Sequence, residues 1–228
     1  MGNAKTHQTW ACDRLTSALG VRTSRDHWRF PYAEIMTEGA ARLVARGQIC
    51  LWLFLALCVA LHPGFVLKRD ESGLSNYGIH IKTAIPYSLA LVLGGVYSFG
   101  GARLIRGSTR DSVITRAILR SYAALLVLNL LSTYPYKLSN PLNDFHVGVN
   151  VATAIFETVT AGWLACLVRA HPEMLIVFGI VVIGFSLGAL TVANVFHLVF
   201  VAELLVGVGY GLLLYRSINL RALSSHVQ

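Results

Sequence analysis

The stretch MLIVFGIVVIGFSLGALTVANVFHLVFVAELLVGVGYGLLLY, Met174 to Tyr215, decides the fold. Its 42 residues are interrupted only by isolated polar or titratable groups, among them Asn194, His197 and Glu203. As one helix it would extend about 63 Å, twice the hydrocarbon thickness of a bilayer, so it must fold back on itself. The reversal is expected at Ala193 to Asn194, which gives two antiparallel spans, Met174 to Ala193 and Val195 to Tyr215. Four further stretches are long and apolar enough to cross a membrane: Gly47 to Val66, Ala84 to Leu104, Ala117 to Tyr136 and His146 to Val168.

Composition agrees with this reading. The chain of 228 residues is 55% apolar and only 13% charged, against about 25% charged in a soluble domain. The expected class is an all-α polytopic membrane protein with six transmembrane helices. Its net charge of +8 is spread unevenly. Fifteen Lys and Arg fall in the segment before the first span, the second and fourth connections and the segment after the last span. Four, Lys68, Arg69, Lys82 and Lys137, fall on the opposite side. The positive-inside rule then places the N and C termini in the cytoplasm and the protein in the cytoplasmic (inner) membrane. The arginines are expected to meet anionic lipid headgroups, so membrane lipids are the expected partners and nucleic acid is not.

The expected organisation is a basic cytoplasmic tail over 1–30, an interfacial amphipathic helix over 31–46, a six-helix transmembrane domain over 47–216 and a cytoplasmic tail over 217–228. Pro31 suits a first helical turn, and Tyr32, Ile35, Met36, Leu43 and Val44 share one face. The first span should act as an uncleaved signal anchor. Cys12, Cys50, Cys58 and Cys166 do not reach an oxidising face, so no disulfide framework is expected. Gly94, Gly95, Gly100 and Gly101, then Gly184 and Gly188, then Gly207, Gly209 and Gly211 mark faces for close helix packing. Such small-residue faces also suit a second copy or another membrane protein as partner.

The chemistry is carried by polar groups inside the spans. His146, Asn150, Thr153, Glu157 and Thr160 are spaced by four, three, four and three, which puts all five on one helical face, with Glu157 about 16 Å deeper than His146. A carboxylate near mid-bilayer costs about 2.5 to 3.5 kcal/mol on insertion scales, so it must face protein or water. Asn129 in the third span and Glu203 in the sixth fall at the level of Thr153. Tyr122 recurs with Asn129 at seven residues, and Tyr210 with Glu203. A polar cavity opening outward between spans three, four and six is therefore expected, lined by Glu157, Glu203, Asn129, Asn150 and Thr153, the two acids being placed for proton coupling. The alternative is that these groups are interhelical hydrogen-bond glue.

An outer rim is expected from His146, His197, Asp144 and Ser75. If a metal is held, His146, His197, Asp144 and His80 are the candidate ligands, with zinc the metal and a fourth position left for water. No HExxH pair stands behind that set. No CxxC or haem-attachment pattern is present, and Gly73-Leu74-Ser75-Asn76-Tyr77 lacks the closing glycine of a nucleophile elbow, so no other cofactor or hydrolase signature is found.

His62-Pro63-Gly64-Phe65, Leu74-Ser75-Asn76-Tyr77-Gly78, Tyr134-Pro135 and Asp144-Phe145-His146 follow one another in an order that resembles the six-span prokaryotic integral-membrane family catalogued as domain of unknown function 998, similar in layout to the DRAM-type proteins. The resemblance covers Arg46 to Arg216. It implies six helices with the termini inside and leaves the role undefined; where the family carries an acid after the proline, this chain has Tyr136 and Lys137. Ser75, Asp144, His146 and His197 also resemble parts of the zinc set of the alkaline ceramidase and progestin-receptor group, whose seventh span and close histidine pair are absent here. The leading expectation is binding, translocation or sensing of a lipid or small solute. A zinc-dependent lipid amide or ester hydrolase and a structural or accessory subunit are the alternatives.

Overall fold

The computed structural model describes residues 38–67, 73–107, 109–135, 137–168, 171–193 and 198–224. Eight helices follow in order: α1 Glu38–Leu61, α2 Gly64–Leu67, α3 Asn76–Ile79, α4 Ala84–Leu104, α5 Arg110–Thr133, α6 Asn140–Leu167, α7 Pro172–Val192 and α8 Val199–Ser224. They hold 87% of the described residues, which leaves connections too short for a separate domain. Six of them, α1 and α4 to α8, are long and apolar enough to cross a membrane. The end of the bundle carrying α2, α3 and the 134–139 connection is called distal here; the end carrying the 105–109 and 168–171 connections is proximal.

Local sequence explains the helix limits. Thr109 caps α5 by accepting the Ser112 N–H on its hydroxyl oxygen at 3.4 Å. Pro141 and Pro172 sit in the first turns of α6 and α7, where a missing N–H costs nothing. The α4–α5 turn needs Gly107, whose φ of 128° excludes most side chains. The Arg116 guanidinium donates to the Gly107 carbonyl at 2.8 Å and holds that turn in place. Helix α7 closes at Val192 and α8 opens at Val199, so the 42-residue apolar run does reverse, on either side of the expected point. Asn194 itself lies outside the described residues, as do the 1–30 tail and residues 31–37.

Two expected boundaries differ from the structure. Helix α1 runs unbroken through Gly47, because Ala40, Ala41 and Val44 are buried against α4 and not spread on a membrane surface. Val44 packs on Gly101, where an added Cβ would meet it at 2.8 Å. Helix α8 likewise continues past Arg216 to Ser224, with Ser217 and Ile218 buried, so the expected 217–228 tail begins as helix.

Glycine sets the approach of the spans. A Cβ on Gly47 would meet Tyr97 of α4 at 2.8 Å, one on Gly95 would meet the Ala123 carbonyl of α5 at 3.5 Å, and one on Gly209 would meet Val181 of α7 at 2.7 Å. Gly184 lets α7 rest on the α8 backbone, its Cβ position lying 2.9 Å from the Val206 nitrogen. Large exposed apolar side chains such as Ile49, Leu53, Val96, Leu131, Val159 and Ile183 point away from these contacts. In a membrane they face lipid, where such exposure carries no penalty.

Candidate functional site

The His146 stripe meets α5 through a continuous set of hydrogen bonds. Asn150, one turn on, donates its amide N–H to His146 Nε2 at 3.0 Å. With Nε2 accepting, Nδ1 carries the proton and donates to Ser132 Oγ at 2.9 Å. The Ser132 hydroxyl in turn donates to the Asn129 carbonyl at 3.0 Å. The Asn129 side-chain amide donates to Thr153 Oγ1 at 2.8 Å, and Thr153 passes its own proton to the Val149 carbonyl at 2.8 Å. Helical phase and depth thus anticipate the Asn129–Thr153 contact between α5 and α6, whereas Ser132, which pairs with His146 across the same interface, is not among the expected groups.

Below and beside this ladder lies a cavity of about 420 Å³. Asn129, Asn150, Thr153, Glu157 and Glu203 all line it, together with Ser75. The expected lining from spans three, four and six is incomplete, since α1, α4 and α7 also contribute, through residues such as Trp52, Leu91 and Phe185. The walls are largely apolar and the polar groups form a strip, a composition that suits an amphiphile better than a fully hydrated solute.

The two acids sit differently. Glu203 reaches the distal segment: its Oε2 accepts the Leu74 N–H at 2.6 Å, tying α8 to the chain leading into α3. Leu74 and Ser75 both line the cavity, so this bond fixes part of its distal wall. The Glu157 side chain is 8% exposed, and among the described residues no group donates to its carboxylate. Thr160 does not extend the strip, because its hydroxyl donates back to the Phe156 carbonyl at 2.6 Å.

The distal rim departs from expectation. His146 is 3% exposed and braces α5 against α6, so it is packed between helices and not open at the rim. Asp144 is exposed and does not line the cavity. His80 packs edge-on against His62, ring centroids 4.3 Å apart, and His62 stacks on Phe65 at 4.2 Å. His197 lies outside the described residues. Among those described, no three His, Cys, Asp or Glu side chains come together as a metal site would need; Asp144, His146 and His80 are therefore not gathered. Tyr77 completes the rim packing, its hydroxyl donating to the His62 carbonyl at 3.3 Å. Burial pushes its phenol above the ordinary tyrosine range, which keeps it a donor.

Some groups escape the sequence pattern. Gln48 of α1 is buried with neither amide atom hydrogen-bonded, against Gly211, where a Cβ would meet its carbonyl oxygen. The Trp52 indole N–H beside the cavity is likewise unpaired. A lone amide directly before the apolar run Ile49 to Leu61 was the available signal for Gln48. No protein-family model, curated protein or solved structure matches the chain.

Proposed function

We propose that this multi-pass protein binds a lipid or small solute in the cavity between its spans, for translocation or sensing. The observation that carries the reading is Glu157, a carboxylate near the middle of a membrane-spanning helix that lines an apolar cavity without a described hydrogen-bond donor. Residues placed only to glue helices together would be hydrogen-bonded to one another, as the Asn129 amide N–H and the Thr153 hydroxyl are. A group left open toward a cavity is what a ligand site requires. Membership of the six-span family named above, termini in the cytoplasm and residence in the cytoplasmic membrane belong to the same proposal, supported by the quoted motifs and the fifteen-to-four division of basic residues.

The test is chemical access. Ala202 is 4% exposed and lines the cavity, whereas Ala161 is fully buried in packed core. In a chain otherwise free of cysteine, Ala202→Cys should react with a small neutral methanethiosulfonate about tenfold or more faster than Ala161→Cys. Equal, slow reaction of two folded variants would return the strip to a structural role.

A further inference from the structure

Two acids face one cavity, and no base among the described lining residues answers them. Glu157 and Glu203 both line it, and among the described lining residues there is no Lys, Arg or His. Glu203 has the Leu74 N–H as donor; Glu157 has no described donor at all. An ionised carboxylate held away from water costs several kcal/mol unless a counter-charge accompanies it, so such a site either keeps its proton or takes a cation.

The rest of the lining selects which cation. Leu51, Leu55, Leu91 and Phe185 present hydrocarbon, and the rings of Trp52 and Tyr122 add aromatic surface beside it. A strongly hydrated inorganic ion gains little from such walls. A cation whose charge is shielded by its own hydrocarbon loses little hydration on entry, buries apolar surface and can use ring faces. A zwitterionic phospholipid headgroup fits less well, because its phosphate would arrive with the ammonium and find no base among the described lining residues.

We infer that the cavity binds a free hydrophobic monocation, of the quaternary ammonium or phosphonium class, with its charge toward Glu157 and Glu203 and its hydrocarbon toward the Trp52 and Phe185 walls. The inference rests on the proposed function, since it requires a cavity that solutes reach. Protons compete for the same carboxylate oxygens, so affinity falls as pH falls. Among the described residues the titratable groups facing Glu157 are Glu203 and Tyr210 of α8 and Tyr122 of α5, and Tyr87 of α4 faces Glu203; none of them supplies positive charge.

The experiment uses the full chain with Ala202→Cys as its one cysteine, in nanodiscs of phosphatidylglycerol. The methanethiosulfonate reaction is followed with tetraphenylphosphonium or tetraphenylborate, ions of matched shape and opposite charge, at equal free concentrations. The phosphonium should slow modification about tenfold or more and the borate less than about twofold. Glu157→Gln with Glu203→Gln should reduce phosphonium protection to the borate level. If the double variant does not fold, Glu157→Gln alone carries the comparison, since that carboxylate has no described hydrogen bond to lose.

Equal protection by both ions, or by neither, on a thiol that still reacts freely would overturn the ligand class and leave the accessible cavity standing. A thiol that never reacts would overturn the proposed function and this inference with it. Protection on adding phosphatidylethanolamine alone would assign the site to a lipid headgroup and overturn the free-cation reading.

Discussion

At the proximal end of the bundle Leu119, Leu164, Leu213 and Ile218 meet with no accessible surface, while at the distal end Leu126, Thr153 and Ala202 face a cavity of about 420 Å³. The same six helices make both halves. Toward the proximal end glycine removes the side chains that would hold them apart: Gly101 lies on Val44, Gly209 on Val181 and Gly211 on Gln48. Toward the distal end Gly184 also brings α7 onto the α8 backbone, but Leu51, Leu126 and Phe185 and a hydrogen-bonded strip from Asn129 to Thr153 stand on the cavity walls, and space remains between them. Lipid exerts no hydrophobic force to close that space.

Truncating leucine should separate the halves most strongly. Leu213→Ala removes a fully buried side chain from the closed half and is expected to cost about 2 to 5 kcal/mol of stability. Leu126→Ala, on a wall that already borders empty space, should fall at or below about 2 kcal/mol. Unfolding in mixed micelles compares them, and equal costs would mean the cavity wall is packed as tightly as the core.

Glycine gives the next contrast. At Gly209 a Cβ would lie 2.7 Å from Val181 Cγ2, so Gly209→Val should cost about 1 to 3 kcal/mol by overpacking. At Gly148 nothing lies within 4 Å, and Gly148→Ala should gain about 0.5 to 1 kcal/mol by restricting the backbone of the unfolded chain. Thermal stability in detergent reads both, and a destabilised Gly148→Ala would place an unseen partner on that face.

The smallest effect sharpens the role of the strip. A double-mutant cycle of Asn129→Ala and Thr153→Ala should give a coupling of about 0.6 kcal/mol, with about 1.7 kcal/mol as ceiling. A larger value would make the strip the main fastener of α5 to α6. A cycle near zero would mean water already enters and replaces the bond.

Much of this was legible in the sequence, for reasons particular to each residue. Six apolar runs of bilayer length give six spanning helices because a helix alone satisfies its backbone in lipid. His146, Asn150, Thr153 and Glu157 fall together because helical phase is fixed, and Asn129 joins them because the antiparallel neighbour brings it to the same depth. The Leu74–Glu203 bond was not legible, since its donor is a backbone N–H that every residue but proline possesses. The part played by α1, α4 and α7 in the cavity was hidden for another reason: leucine, glycine and phenylalanine look the same in a pattern whether they face a void, a neighbour or lipid. Periodicity puts His146 at the outer rim because it gives a face and a depth but does not say what caps that face.

Access of a small aqueous solute to Trp52, which borders the cavity near mid-span, tests the open distal half most directly. With Trp10, Trp28 and Trp163 replaced by Phe, its fluorescence can be titrated with acrylamide, a quencher that enters water-filled space and avoids hydrocarbon. The account predicts quenching that falls several-fold when Ala154→Phe fills the cavity. Quenching that is equally weak with and without Ala154→Phe, in two folded proteins, would contradict it.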